Sequence, residues 1–203
     1  MKPDITEHDL VTSLAKALQF ISCFHPEGYV RNLIDAYARE ESPAAKAAMA
    51  QILVNSRLAA MGRRPMCQDT GTAQIFMKVG IGVRIATKRS MQDLADEAVR
   101  IAWKQEANPL RASVLADPAG ARKNTKDNTP AVVHFEIVEG HHVEVICAAK
   151  GGGSEAKSKF AMLNPSDDLV DWVLKKIPEM GAGWCPPGII GIGIGGTPEK
   201  AML

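Results

Sequence analysis

The chain has 203 residues, of which 46% are hydrophobic and 23% charged, with a formal net charge of +1. That balance matches a folded globular protein and excludes the strongly basic surface that nucleic-acid binding calls for. No apolar run is long enough to span a bilayer, and Asp4, Glu7 and Asp9 break the basic-then-apolar layout of a signal peptide, so a cytoplasmic protein without membrane or nucleic-acid partners is expected.

In chain order, Thr6-Glu7-His8-Asp9 has the form of a capping box, followed at helical spacing by Leu10, Leu14, Ala17, Leu18 and Ile21. A second helix is predicted from Pro26 to about Glu41. Ser42-Pro43 supplies the cap and first turn of a third, which Gly62 can end. Residues 1–62 thus read as a helical layer, and 63–203 as an α/β region. Ala73 to Val79 alternates loosely between glycines and reads as a strand, which Val83 to Ile85 can extend after a turn. Met91 to Glu106 is helical. Asn108 to Asn128 is polar, carries two prolines and reads as an ordered loop. Ala131–Val138 and His142–Ala149 are predicted to pair as a hairpin around Glu139-Gly140-His141. After a glycine-rich turn come a helix over roughly Ser166 to Ile177, a short apolar strand from Ile189 to Ile194, and a helix opened by Thr197-Pro198. Ala201-Met202-Leu203 provide no cap for that last helix, so the chain is expected to be part of a longer one, a frayed terminus being the alternative. The fold class is α/β: an N-terminal helical layer followed by a mixed β-sheet with flanking helices.

Four motifs carry chemistry. The four cysteines, Cys23, Cys67, Cys147 and Cys185, include no CxxC pair, and in a reducing compartment each is core filler, metal ligand or nucleophile. Cys67-Gln68-Asp69-Thr70-Gly71 follows Arg63-Arg64-Pro65; a thiolate beside two arginines suits metal binding or nucleophilic attack. A buried cysteine before a polar turn fits the same residues. Lys150-Gly151-Gly152-Gly153-Ser154-Glu155 follows an apolar strand, and its backbone can come close to an anion or simply connect strand to helix. It lacks P-loop spacing. Gly183-Trp184-Cys185-Pro186-Pro187-Gly188 places a thiol on a stiff turn, as a ligand or as a small structural residue. Gly193 to Thr197 could bring backbone N–H groups to a carboxylate at a helix start, or form a plain turn. Arg111, in Leu110-Arg111-Ala112-Ser113 with Arg122-Lys123-Asn124-Thr125 downstream, offers a forked guanidinium suited to a dicarboxylate, or is a solvated surface residue.

Taken together, CQDTG, LRAS…DP.G.R.NT, AAKGGGSE.KSKFAMLNPSD and GWCPPG…GIGIGGT.EKAML resemble, in that order, the class I iron–sulfur fumarate hydratases and the related L-tartrate dehydratases. The resemblance starts near ISCFHPEGYV and covers nearly the whole chain. It implies a [4Fe-4S] cluster held by three cysteines, two of them matching Cys67 and Cys185, with the third beyond residue 203. The fourth iron is open to substrate. It further implies that Arg111, Gln68, Asp69, Gly152 and Gly153 bind a small dicarboxylate, malate or fumarate. The proton-abstracting residue belongs to a C-terminal domain that is absent here, so residues 1–203 alone should be close to inactive. Family members are homodimers. Cys147 shares a strand face with Val143 and Val145, and Cys23 ends an amphipathic helix, so both read as core. The alternatives are an L-tartrate dehydratase α-subunit and a non-catalytic anion-binding module.

Overall fold

The first helix begins where the sequence supplies a cap. In the computed structural model, which describes residues 4–67 and 70–203, a short strand β1 (Ile5–Thr6) leads into α1 (Glu7–Cys23). Thr6 and Asp9 close a reciprocal capping box, and the Thr6 hydroxyl accepts the Asp9 N–H at 3.2 Å. Helix α2 (Glu27–Arg39) packs on α3 (Pro43–Gly62), which is capped by Ser42 with Pro43 in its first turn, as expected. Its left-handed terminating residue is Arg63 (φ 47°) and not Gly62, the last helical residue. Next come β2 (Thr72–Gly80), β3 (Ile85–Ala86) and α4 (Met91–Trp103), whose Ser90–Asp93 capping box the sequence reading missed. The pairs β4 (Leu115–Ala116) and β5 (Lys123–Asn124), and the longer β6 (Val132–Val138) and β7 (Val143–Lys150), complete a unit ending at Gly151.

The α/β class holds, but the strand pairing corrects the sequence reading. Residues 131–138 and 142–149 do not form a hairpin ladder. Strand β2 lies between them, parallel to β6 and antiparallel to β7. Alternation fixes which face of a strand is buried but not which strand lies beside it. Strands flanking a third lie about 10 Å apart, well within reach of the link Glu139–His142 at roughly 3.3 Å per residue. That link crosses the end of β2 at Gly80, whose added Cβ would stand 2.5 Å from the Gly140 carbonyl oxygen. Likewise, β3 does not prolong β2; it pairs parallel with β1 in a separate sheet. Helix α4 stops at Trp103, short of Glu106, because the Leu110 N–H returns to the Trp103 carbonyl at 3.2 Å.

Helices α1 and α4 cover one face of the sheet. Ala73, Ile75, Met77 and Val79 alternate into this core against Leu10, Leu14 and Leu18 of α1 and Leu94, Ala98 and Val99 of α4. Each fully buried aliphatic here contributes about 1.5–3 kcal/mol. Alanines at 95, 98 and 102 let α4 approach closely. Cys147 packs on this core beside Val143 and Val145, on the face that the alternation assigns it.

The second unit, Gly152–Leu203, contains α5 (Gly152–Lys157), α6 (Leu169–Glu179), a 3-10 turn (Gly181–Trp184) and α7 (Pro198–Met202). Asp168 caps α6, accepting the Asp171 N–H at 2.9 Å. Residues 189–194 form no strand, contrary to expectation. A strand needs a neighbour for its backbone groups, and the described elements of this unit are helical.

Candidate active site

The Cys67 motif, the Arg111 segment and Lys150-Gly151 lie in the first unit; Gly152, Gly153 and the Cys185 motif lie in the second. In the first unit the segment before Cys67 is clamped from both sides. The Met66 N–H donates to the Ser22 carbonyl at 2.9 Å, and its carbonyl accepts from Asn55 Nδ2 at 2.7 Å. Arg64 Nη1 donates to the Ala107 carbonyl at 3.2 Å. Cys67 is exposed. Gln68 and Asp69, expected to bind substrate, lie outside the described residues. At the end of the motif, Gly71 (φ 75°) runs flush against the end of β7: an added Cβ would lie 2.1 Å from the Lys150 carbonyl oxygen.

The Arg111 segment is gripped along its backbone. The Arg111 carbonyl accepts from the Trp103 indole at 3.1 Å, and the Ala112 carbonyl accepts from Asn124 Nδ2 at 2.8 Å. Asn128 Oδ1 accepts the Ser113 and Val114 N–H groups at 2.8 and 3.3 Å, while its Nδ2 donates to the Gly71 carbonyl at 2.9 Å. The LRAS and CQDTG motifs are therefore joined through one buried amide and, directly, by the Ser113 hydroxyl, which donates to the Gly71 carbonyl at 3.4 Å. None of Trp103, Asn124 and Asn128 stood out in the sequence as a site residue. The available signal was Asn128 itself, since asparagine is among the residues that tolerate its φ of 63°.

Beneath the same loops lies a buried polar cluster. Asn108 Nδ2 donates to Gln19 Oε1 at 2.7 Å, with Ser22 Oγ at 3.3 Å and the Cys23 thiol at 3.4 Å. Cys23 is thus a core thiol, as the sequence suggests.

In the second unit Gly152 and Gly153 begin α5, so the glycine-rich turn is helical. Gly153 faces the 3-10 turn; its added Cβ would meet the Gly183 carbonyl oxygen at 2.5 Å. Cys185 follows that turn in the left-handed region (φ 62°), with its N–H bonded to the Ala182 carbonyl at 3.1 Å and its side chain exposed. A non-glycine residue held there costs about 1–2 kcal/mol, and such strain gathers at functional turns. Within either unit, no three described His, Cys, Asp or Glu side chains are placed to share a metal ion. No described helix is long and apolar enough to cross a membrane.

Residues 11–203 match the family described as fumarate hydratase (Fumerase). A putative L(+)-tartrate dehydratase subunit alpha of Methanocaldococcus jannaschii is 33% identical over 87% of this chain and 64% of its own length. The aerobic class I fumarate hydratase of Escherichia coli K12 is 36% identical over 75% of this chain and 28% of its own length. The L(+)-tartrate dehydratase subunit alpha of Escherichia coli UTI89 is 28% identical over 96% of this chain and 64% of its own length. The chain thus spans less than two thirds of the length of these curated relatives. Matched over all but its first ten residues, the chain belongs to the fumarate hydratase (Fumerase) family.

Proposed function

We propose that the complete protein is a cytoplasmic, homodimeric hydro-lyase that interconverts (S)-malate and fumarate, and that residues 1–203 are the cluster-binding, N-terminal part of its catalytic domain. The observation that carries this reading is the exposure of the cysteines. Cys67 and Cys185 are exposed, whereas Cys23 is buried and Cys147 half-buried. Cluster ligands are thiolates. Burial pushes the Cys147 thiol up, away from that state. On this exposure and on the family resemblance, Cys67 and Cys185 are assigned as two ligands of a [4Fe-4S] cluster, and the third thiolate is assigned to a C-terminal domain outside this chain.

When bound, such a cluster with one open iron supplies a Lewis acid for the substrate hydroxyl and a carboxylate. The chain's own residues bind and orient. Arg111, on a backbone already fixed at its carbonyl, holds a substrate carboxylate through its planar fork. Gln68 and Asp69 offer polar groups beside Cys67. Gly152 and Gly153, lacking side chains, let backbone N–H groups approach the substrate. Holding these groups in place in advance is a large share of the rate enhancement.

One observation favours a second reading. The tartrate dehydratase alpha subunits align with 87% and 96% of this chain, and the aerobic fumarate hydratase with 75%. Tartrate and malate are both 2-hydroxy dicarboxylates, so the same groups serve either substrate. The test is anaerobic dehydration of malate and of L-tartrate by the complete protein and by its Cys67→Ser and Cys185→Ser variants. Both variants should lose turnover of whichever acid the parent uses. Turnover surviving either change would refute the ligand assignment, and a parent that prefers tartrate would select the second reading.

A further inference from the structure

Among the described polar side chains outside the assigned site, Asn128 is the one most completely enclosed, at 0% exposure. It uses both ends of its amide. The oxygen accepts two backbone N–H groups of the Arg111 segment, and the nitrogen donates to the carbonyl of Gly71, the last residue of the Cys67 motif. The chain on either side of it is anchored from α4. The Ala131 N–H donates to Asp96 Oδ1 at 2.8 Å, Arg100 pairs with Asp127 at 3.4 Å, and Asp127 Oδ1 accepts the Thr129 N–H and hydroxyl at 3.1 and 2.8 Å. An asparagine in the left-handed region, pinned on both sides and with both amide ends engaged, ties two loops to a rigid helix and leaves them little freedom to shift separately.

We infer that Asn128 is a positioning residue, which sets the placement of Gly71, at the end of the Cys67 motif, relative to the Arg111 segment, so that the proposed cluster ligand Cys67 and the Arg111 guanidinium serve one site. This rests on the hydro-lyase reading only for its catalytic consequence; the mechanical coupling stands on the hydrogen bonds.

The experiment uses the complete protein and two variants. Asn128→Gly removes the side chain while keeping a residue at ease at positive φ. Asn128→Asp keeps an oxygen facing Ser113 and Val114 but sets an acceptor against the Gly71 carbonyl. Two readouts are taken. In cluster-free protein, the alkylation rate of Cys67 is followed by peptide mass spectrometry, with Cys185 in the other unit as internal control. In the reconstituted enzyme, kcat and KM are measured anaerobically on malate and L-tartrate. Cys67 alkylation should change at least threefold in both variants, with Cys185 unchanged. In Asn128→Gly, kcat/KM should fall at least tenfold, through kcat as well as KM. Folded variants with Cys67 alkylation and kcat/KM within twofold of the parent overturn the inference. So does loss of fold in both variants, which would make Asn128 structural. A parent inactive on both acids removes the hydro-lyase reading, while the alkylation result still decides the coupling.

Discussion

Replacing Gly71 by alanine tests whether the turn at this glycine is held against β7 as closely as the geometry requires. The new methyl carbon would lie 2.1 Å from the Lys150 carbonyl oxygen, 2.3 Å from the carbonyl carbon and 2.7 Å from the Gly151 nitrogen. All three are backbone atoms at the end of β7, so no side chain can swing aside, and the turn must retreat by about 1 Å or more. The left-handed conformation at φ 75° adds about 1–2 kcal/mol for any residue with a Cβ. Overpacking adds about 1–3 kcal/mol, giving roughly 2–5 kcal/mol in all. Against a total stability of about 5–15 kcal/mol, this is a large fraction. Gly28→Ala is the control. It sits in the first turn of α2 with nothing within 4 Å of the added carbon, and it should be neutral or stabilise by up to about 1 kcal/mol. Denaturant melts of both variants measure the difference. If Gly71→Ala came within about 1 kcal/mol of the parent, the turn would not be pinned by β7, and the close approach in the structure would carry no energetic weight.

Arg111→Ala should lower kcat/KM by about 10–150-fold, the equivalent of a charge-assisted hydrogen bond worth about 1.5–3 kcal/mol. Arg111→Lys should recover only part of it, because the charge returns without the fork; an unchanged kcat/KM in the alanine variant would remove Arg111 from the site. Trp103→Phe leaves the Arg111 carbonyl without its indole donor, and should cost about 1–3 kcal/mol in thermal denaturation; a melt like the parent's would show that the bond does not hold this segment. His25, in the link between α1 and α2 and bonded to Ser56 of α3 at 3.0 Å, has its pKa lowered by burial. As pH falls, the unfolded chain takes up this proton before the folded one does. The contribution of neutral His25 is therefore complete above the ordinary histidine range and lost as pH drops through the lowered value. His25→Asn should flatten that part of the profile of melting temperature against pH, and a parallel profile would refute the assignment.

Where a local rule decides the structure, the sequence was readable. Thr6 and Asp9 made a capping box, Ser42-Pro43 opened α3, and the alternation of β2 buried Ala73, Ile75, Met77 and Val79 in turn. Each of these outcomes depends on residues within a few positions of one another. The failures share the opposite property. Whether 131–138 pairs with 142–149 depends on β2, some sixty residues earlier in the chain, inserting between them. Gly140 carries a turn signal in either topology, so the turn could not separate a hairpin from a link across a strand end. The apolar run 189–194 has strand composition but no strand partner in its unit, and composition alone does not satisfy backbone groups.

The candidate site divides along the same line. Cys67, Arg111, Gly152, Gly153 and Cys185, the residues proposed to meet a ligand, stood out because they sit in unusual local company, such as CQDTG, GGG or CPPG. The residues that hold them do not. Trp103 reads as the last apolar position of a helix and Asn128 as an ordinary loop polar, while Asn124 enters only as part of the Arg122–Thr125 motif, with no role of its own. All three work on backbone carbonyls and amides whose identity carries no side-chain signature. Their function becomes visible only through burial, since a fully enclosed amide costs stability unless every polar atom is satisfied. Asn128 meets that condition with bonds to two different motifs at once. The demand that buried polar groups be satisfied thus links CQDTG to LRAS across the chain, a connection that four separate motifs, each legible alone, left open.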